Sequence, residues 1–465
     1  MGSLSADTSV QIALNNPIIL TQILLQPFTP LKTCRLVSKF WNDIILSFPN
    51  PGLAIQLSCA DGKVPEPDPI QFFATCFTLD ARLTKRIHAT CSTPLVDATL
   101  CVYSFTSKLI FLCDKFSDRV QILEVSLNVE KCLQSVYQVL KNCCPNLRQL
   151  RITCTFTNTR VTNFVPPEMR EELEKKANLV VFTLSSNRVT EYLTTFTQLV
   201  VNASGNLREV TLPWGFCPDF GNSKKLASFT IAMDGVHFTD PVSRSDFNIS
   251  RMINLIGGKL FTLKFANVEK PSTKNLKLTC VEDTLKNICN ANNILAGVRN
   301  LCLIEIYEPS LLGGLRTAFP NLTRLQVDLY YRTGIRGGVN GMKLGVVLQT
   351  CRGWKGLKHL KLSLPAYPNE IGDIIGAMLD VKELFHRLKT FQLMTHSLAH
   401  SVFDLKKEEM DLFKQFLMAI SNMERVSISK LYVDKETAEN VTGFMVSNKM
   451  SVSKFSLIER PDYED

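Results

Sequence analysis

The segment CPNLRQLRITC, residues 144–154, carries the pattern that decides the fold of this 465-residue chain. Its apolar residues Leu147, Leu150 and Ile152 follow the spacing apolar-x-x-apolar-x-apolar. The last two alternate with polar residues, which is typical of a short β-strand with one buried face. The preceding segment, SVYQVLKNC, has the apolar spacing of a helix. One copy of the pattern therefore predicts a helix, a turn and a strand.

The same pattern recurs from about residue 98 to the end of the chain. Twelve copies begin at Val120, Leu147, Leu179, Leu207, Leu226, Leu260, Val298, Leu322, Leu357, Leu388, Met423 and Val452. They start about 30 residues apart on average, which is close to the period of solenoid repeats. Strands that alternate with helices predict a parallel sheet. Because each unit buries its apolar side only by stacking on its neighbours, the pattern predicts a repeat solenoid.

The segment 144–154 resembles the cysteine-containing leucine-rich repeat. The resemblance implies an α/β fold, a leucine-rich-repeat-like solenoid with a curved parallel sheet and helices on the convex side. We assign residues 98–465 to this solenoid and residues 51–97 to a linker or an irregular first repeat. A globular α/β domain with accidental matches to the pattern remains the alternative.

A second informative stretch precedes the repeats, NPIILTQILLQPFTPLKTCRLVSKFWNDIILSF at 16–48. Asn16 followed by Pro17 is a helix start, and Thr29 followed by Pro30 repeats the signature. Ser38 is a third capping residue. More than half of this stretch is apolar. Three helices this short cannot bury that surface among themselves, so it must contact the rest of the chain or a partner.

The spacing N-P-x-x-L-x-x-I-L…L-K-x-C-R-L-V-x-K-x-W-N-D in this stretch resembles the F-box, here residues 12–50. The resemblance implies a three-helix F-box that docks on the SKP-family adaptor and, through it, on a cullin. The residues it implies for adaptor binding are Pro17, Leu20, Ile23, Leu24, Leu31, Cys34, Arg35, Val37 and Trp41. An F-box followed by leucine-rich repeats implies the substrate-recognition subunit of an SCF-type ubiquitin ligase, whose repeats bind an unidentified protein substrate. The alternative is a non-enzymatic repeat scaffold whose helical head only caps the solenoid.

Composition excludes several other classes of protein. The net charge of +9 is spread along the chain, and no stretch of interleaved bases and aromatics predicts nucleic-acid binding. No run of eighteen apolar residues predicts a membrane span. The chain has 15 cysteines and begins without a secretory signal, which favours reduced thiols and a cytoplasmic or nuclear location.

The sequence predicts no chemistry and no cofactor. His396 and His400 lie four residues apart, yet no other ligand follows at a zinc spacing, so we predict no metal site. The run GIRGGVNG at 334–341 lacks the Gly-Lys-Ser/Thr ending of a phosphate loop and is interpreted as a loop between repeats. Without a nucleophile motif, we expect no enzymatic activity.

The repeats give a weaker indication of the substrate. Residues that flank the buried positions of a strand point to its opposite face. Basic residues outnumber acidic ones at these positions after residue 260. Because clustered bases bind acidic or phosphorylated groups, we predict a substrate-binding role for Arg324, Lys361, Arg425 and Lys454.

Overall fold

The computed structural model describes most of the chain, and it forms two compact units, unit 1 (Met1–Leu207) and unit 2 (Arg208–Asp465). The described residues are 10, 14–26, 29–48, 53–58, 69–92, 98–156, 169, 171–232, 252, 256, 260–266, 285–286, 288–289, 294–306, 310–329, 344–364, 371–395, 407–429, 432–433, 435–454 and 458–459. His396, His400 and the segment 334–341 lie outside them.

Unit 1 contains a parallel sheet of five strands in sequence order. They are β1 (Ile55–Ser58), β2 (Arg86–Cys91), β3 (Ile122–Leu127), β4 (Gln149–Cys154) and β5 (Val181–Ser186). In register, Leu123 of β3 lies beside Leu150 of β4, and Leu150 lies beside Phe182 of β5. Every second residue of β2 to β5 is buried, as expected for a sheet with one face in the core.

Unit 2 contains eight parallel strands, again in sequence order. They are β6 (Glu209–Pro213), β7 (Ser228–Ala232), β8 (Thr262–Ala266), β9 (Asn300–Ile306), β10 (Arg324–Leu329), β11 (His359–Leu364), β12 (Thr390–Thr395) and β13 (Arg425–Ile428). A separate parallel pair joins β14 (Tyr432–Val433) to β15 (Ile458–Glu459). The strands β3 to β13 coincide with the first eleven predicted copies, so the predicted leucine-rich-repeat-like α/β fold is confirmed.

Helices lie between the strands. Unit 1 has α1 (Pro17–Leu24), α2 (Leu31–Cys34), α3 (Lys39–Ser47), α4 (Pro69–Thr78), α5 (Ala98–Lys115), α6 (Leu133–Asn142) and α7 (Glu191–Ala203). Unit 2 has α8 (Leu311–Ala318), α9 (Leu344–Arg352), α10 (Ile371–Leu379), α11 (Lys382–Arg387), α12 (Lys407–Ala419) and α13 (Lys435–Ser447). No described helix is long and apolar enough to cross a membrane.

An asparagine ladder joins successive repeats just before their strands. The side-chain amide of Asn146 donates to the carbonyl of Asp118 at 3.0 Å, and that of Asn206 donates to the carbonyl of Ala177 at 2.7 Å. Asn178 repeats the arrangement, and its amide also donates to Asn146 Oδ1 at 3.2 Å. In each case the asparagine immediately precedes the first leucine of a copy. Each bond gives a hydrogen-bond partner to a backbone carbonyl of the preceding repeat.

Two strands of the same sheet lie in residues 51–97, where the sequence did not reveal the pattern. In β2 the buried residues are Ile87, Ala89 and Cys91, and the first apolar position of the copy is taken by Thr84. The Thr84 hydroxyl is buried and donates to the carbonyl of Ala81 at 2.6 Å. A hydroxyl that is satisfied locally can replace a leucine at this position, which hid the copy.

Two sequence predictions are wrong in detail. The twelfth copy does not begin like the others, because Val452–Lys454 is a 3₁₀ helix and Val452 is 42% exposed, and its residues Phe455 and Leu457 lie outside the described residues. Thr29 does not cap α2, because its hydroxyl donates back to the carbonyl of Gln26 at 2.9 Å. Lys454 lies in the 3₁₀ helix that begins at Val452, so it does not occupy the outward strand position that suggested its role in substrate binding.

Candidate protein-docking surfaces

The helical head, which we define as residues 16–48, begins α1 and α3 as the capping residues Asn16 and Ser38 predict. The Asn16 side chain accepts hydrogen bonds from the amides of Ile18 at 2.9 Å and Ile19 at 3.3 Å. Ser38 accepts from the amide of Trp41 at 3.2 Å, so it caps α3. Each cap satisfies amides that have no partner inside the helix.

One side of the head forms a small core. Leu20, Leu24, Ile45, Leu46 and Phe48 are buried together with Leu53, which comes after the head, and Leu31, Cys34 and Trp41 are partly buried against them. Leu20 is fully buried and Leu24 is 2% exposed, so neither side chain is available to a partner. The adaptor-binding role predicted for these two leucines is therefore corrected to a role in the core.

The other side of the head is apolar and exposed. Leu36 is 80% exposed, Ile18 72% and Val37 62%. We define the head patch as Ile18, Ile19, Ile23, Leu25, Leu36, Val37 and Phe40. The backbone beneath Leu36 and Val37 is ordered, because their amides donate to the carbonyls of Thr33 and Cys34 at 3.0 and 3.1 Å. The patch is thus a fixed apolar surface.

Polar contacts hold the head to the residues just before β2. The Arg82 guanidinium bonds Asp43 of α3 at 2.7 Å and Asp80 at 2.7 Å. Its hydrogen bond lowers the pKa of Asp80 below the ordinary value. Within the head, Arg35 Nε donates to Asn42 Oδ1 at 3.2 Å, which joins the end of α2 to α3. Arg35, predicted to bind the adaptor, therefore already has a partner inside the head.

A second surface is the outward face of strands β9 to β13 in unit 2. Arg324, His359, Thr390 and Arg425 lie side by side on four neighbouring strands. Parallel strands are about 4.8 Å apart, so Arg324 and Arg425 are separated by about 14 Å. Lys361 belongs to the next outward row, which also contains Cys302 and Gln326. The structure thus brings together three of the four predicted substrate-binding residues.

The electrostatics of this face come from both rows. Burial lowers the pKa of His359, and the positive charge of Arg324 lowers it further. The imidazole Nδ1 lies 2.9 Å from the Thr390 hydroxyl. Glu424 is paired with Lys389 at 2.9 Å, and this bond lowers the pKa of Glu424. His359 is therefore neutral at pH 7, the positive charge of the face comes from its arginine and lysine side chains, and Asp328 of β10 adds one carboxylate to it.

The corresponding face of unit 1 is neutralised. Glu124 of β3 bonds Arg86 at 2.8 Å on one side and Arg151 at 2.9 Å on the other. Arg151, one of the basic residues of the predicted outward face, is thus already paired. Among the described residues, the excess of unpaired bases on the sheet lies in unit 2.

Two cysteines of unit 2 carry unreactive thiols, Cys302 of β9 and Cys351 of α9. Burial raises the pKa of Cys302 to about 11 and that of Cys351 to about 12, so these thiols stay protonated at neutral pH. No group of three or more potential metal ligands occurs in the described parts of the chain.

The sequence did not single out Ile18, Leu25 and Phe40, although they form much of the head patch. The spacing of Ile18 and Leu25, seven residues apart along one helical face, is the signal that could have found them. His359 was also missed, and its outward strand position alone indicated that it would join the basic row.

The comparisons with known proteins found only weak structural similarities. No protein-family model and no curated protein sequence matches this chain. Among solved structures, it is similar to a leucine-rich-repeat-like protein from Bacteroides fragilis, with 11% identity, a TM-score of 0.32, and 69% of this chain and 67% of the other covered. It is also similar to TLR13 in the TLR13–ssRNA13 complex, with 12% identity, a TM-score of 0.32 and 76% of this chain covered.

The chain spans 41% of the length of that TLR13 chain. Similarities this low carry no argument about activity or partners. What stands is the leucine-rich-repeat-like α/β fold with parallel strands that the structure itself shows.

Proposed function

We propose that this chain is the substrate receptor of an SCF-type cullin–RING ubiquitin ligase. The head docks on the SKP-family adaptor through the head patch, and the repeats bind the protein to be ubiquitinated. The chain contributes no catalytic group. It acts by holding a substrate close to the charged conjugating enzyme, because proximity converts a bimolecular encounter into a local one.

The observation that carries the proposal is the exposure of Leu36 and Val37 within the segment that matches the F-box pattern. Apolar side chains on an ordered backbone lose little entropy when a partner covers them. No described residue covers either side chain. Patches of this kind are typical of protein–protein contact sites.

The contacts between the head and the strands of unit 1 also favour a receptor role. The Arg82–Asp43 contact and the shared core with Leu53 join the head to the first strands of unit 1. A partner bound to the head patch is therefore held at a fixed place relative to those strands.

The face of unit 2 supports the second half of the proposal. Arg324, Lys361 and Arg425 present positive charge on neighbouring strands, and no carboxylate among the described residues forms an ion pair with them. Such a face favours an acidic or phosphorylated protein segment, because arginine binds carboxylates and phosphates through paired hydrogen bonds.

A second candidate function is favoured by the core of the head. Leu20, Leu24 and Ile45 pack with Leu53 and so cover apolar residues near the start of the repeats. A head with only this role would cap the repeats of a non-enzymatic scaffold. Capping leaves the head patch without a function, and for this reason we favour the receptor.

The test is binding of the full chain to the purified SKP-family adaptor by calorimetry. Central apolar anchors contribute about 2 kcal/mol or more each, so Leu36→Ala with Val37→Ala should weaken binding more than about tenfold. The control pair is Ile294→Ala with Val446→Ala in unit 2, whose side chains are similarly exposed at 66% and 63%. Absence of adaptor binding by the wild-type chain, or equal binding by both double variants, would leave only the capping function.

A further inference from the structure

Unit 2 contains a surface cavity of about 480 Å³ next to helices α8, α9 and α11. None of its lining residues is among those predicted to bind the substrate or the adaptor. Its lining is dominated by positive charge, from Arg316, Arg352, Lys355 and Arg387, with Glu383 as the acidic member. Cavities of about 300–1,000 Å³ are the size in which proteins bind small molecules.

The charges of the cavity are only partly compensated. Arg352 Nη2 pairs with Glu383 Oε2 at 2.5 Å. Among the described residues, no carboxylate pairs with Arg316, Lys355 or Arg387. These three positive charges therefore face a common space and repel each other until an anion occupies it.

The Arg387 side chain is positioned by the fold. Its Nη2 donates to the backbone carbonyl of Arg352 at 2.9 Å, which fixes the guanidinium at the end of α9. Its Nε is buried and has no hydrogen-bond partner among the described residues. A buried donor without a partner is costly, so the Arg387 guanidinium is incompletely satisfied by the described residues beside the cavity.

Gly353 makes room for another of the cations. A Cβ atom at this residue would lie 2.7 Å from Arg316 Cδ and 2.8 Å from Arg316 Nη1. Those distances are shorter than atoms tolerate, so any larger residue at 353 would displace the arginine. The absence of a side chain at this point lets Arg316 lie across the chain and face the cavity.

We propose that this cavity binds a phosphate-bearing ligand. A phosphate group carries up to two charges and several acceptor oxygens, so it can bond several donors at once, and arginine is suited to bind it through two parallel hydrogen bonds. The volume leaves space for more than the phosphate itself. The ligand is therefore a small phosphorylated molecule or a phosphorylated side chain of another protein.

The test is calorimetric titration of the full chain at low salt with two probes. One probe is inorganic pyrophosphate, and the other is a phosphoserine peptide alongside its unphosphorylated form. The test variant is Arg316→Gln with Lys355→Gln, since neither side chain bonds a described protein group. Loss of two charged hydrogen bonds should weaken binding by about tenfold or more.

Two further variants distinguish binding in the cavity from a general effect of surface charge. Lys224→Gln with Lys225→Gln removes the same charge from exposed positions of unit 2 outside the cavity lining and should change affinity by less than about twofold. Glu383→Gln should tighten binding, because it removes the carboxylate that competes for Arg352.

Saturable pyrophosphate binding supports a small free ligand, and binding of the phosphopeptide alone supports a phosphorylated protein. Three results would overturn the proposal: no saturable binding of either probe, an equal loss in the lysine control, or weaker binding in Glu383→Gln. None of these results bears on adaptor docking, which is measured separately.

Discussion

Leu20 and Ile18 are neighbours on α1, and the structure predicts opposite consequences for their replacement by alanine. Leu20 is fully buried in the core of the head, whereas Ile18 is 72% exposed. Removing a buried leucine side chain loses its transfer free energy and leaves a cavity, at a cost of about 3–4 kcal/mol. Truncating an exposed isoleucine should change stability by about 0.5 kcal/mol or less.

The assay must report on the head alone, because a chain of two units need not unfold in one step. Hydrogen exchange of the α1 and α3 amides meets this need, since it measures local opening. A loss of 3 kcal/mol corresponds to exchange about a hundredfold faster in Leu20→Ala, with no comparable change in Ile18→Ala. Adaptor binding should respond in the opposite sense, with Ile18→Ala weakening it and Leu20→Ala retaining it at saturating adaptor.

Equal exchange in the two variants would refute the division of the head into a buried side and a docking side. The same conclusion would follow if Leu20→Ala impaired saturated binding as much as Ile18→Ala, because the buried leucine would then be a contact residue.

The basic face of unit 2 gives two further predictions. Lys361→Glu with Arg425→Glu should change thermal stability by no more than about 0.5 kcal/mol per site. The same double variant should weaken binding of a poly-glutamate peptide, more at low salt than at high salt. If binding falls no more than it does in the control Lys224→Glu with Lys225→Glu, the face is only solvated. Because folding lowers the pKa of His359 below its ordinary 6.5, its contribution to stability is present above that value and is lost as the pH falls through the folded pKa. His359→Gln should therefore lose less thermal stability than the wild-type chain between about pH 7.5 and 5.5, and parallel losses in the two proteins would contradict the assignment.

The strands were predictable because a strand's burial is a local property of the sequence. Alternation around Leu150 and Ile152 sufficed to predict β4, and the near-regular period predicted its neighbours. The copy at β2 escaped because Thr84 and Ala89 stand where larger apolar residues were expected. Cys144 adopts a left-handed backbone, with φ of 58°, which lets adjacent cysteines both be buried. That conformation of a residue other than glycine left no trace in the sequence.

The candidate sites were less predictable, because they depend on residues far apart in the chain. The F-box resemblance identified the head but could not separate Leu20 from Ile18, since Leu53 completes the core from outside the motif. The cationic cavity was invisible for the same reason. Arg316, Arg352 and Arg387 come from three different helices, α8, α9 and α11, and only the stacking of repeats brings them to one place.

The asparagine ladder bears on where a repeat of this chain can change in length. Each of Asn146, Asn178 and Asn206 fixes the start of its own repeat to a carbonyl of the preceding one, so the reference point is the asparagine and not the loop after the strand. Segments inserted after a strand leave that reference point untouched, whereas one residue inserted between an asparagine and its leucine would turn the buried face of the strand outward. In these repeats the segment after the strand can therefore change in length. A new binding loop inserted there would leave the packing of the core unchanged.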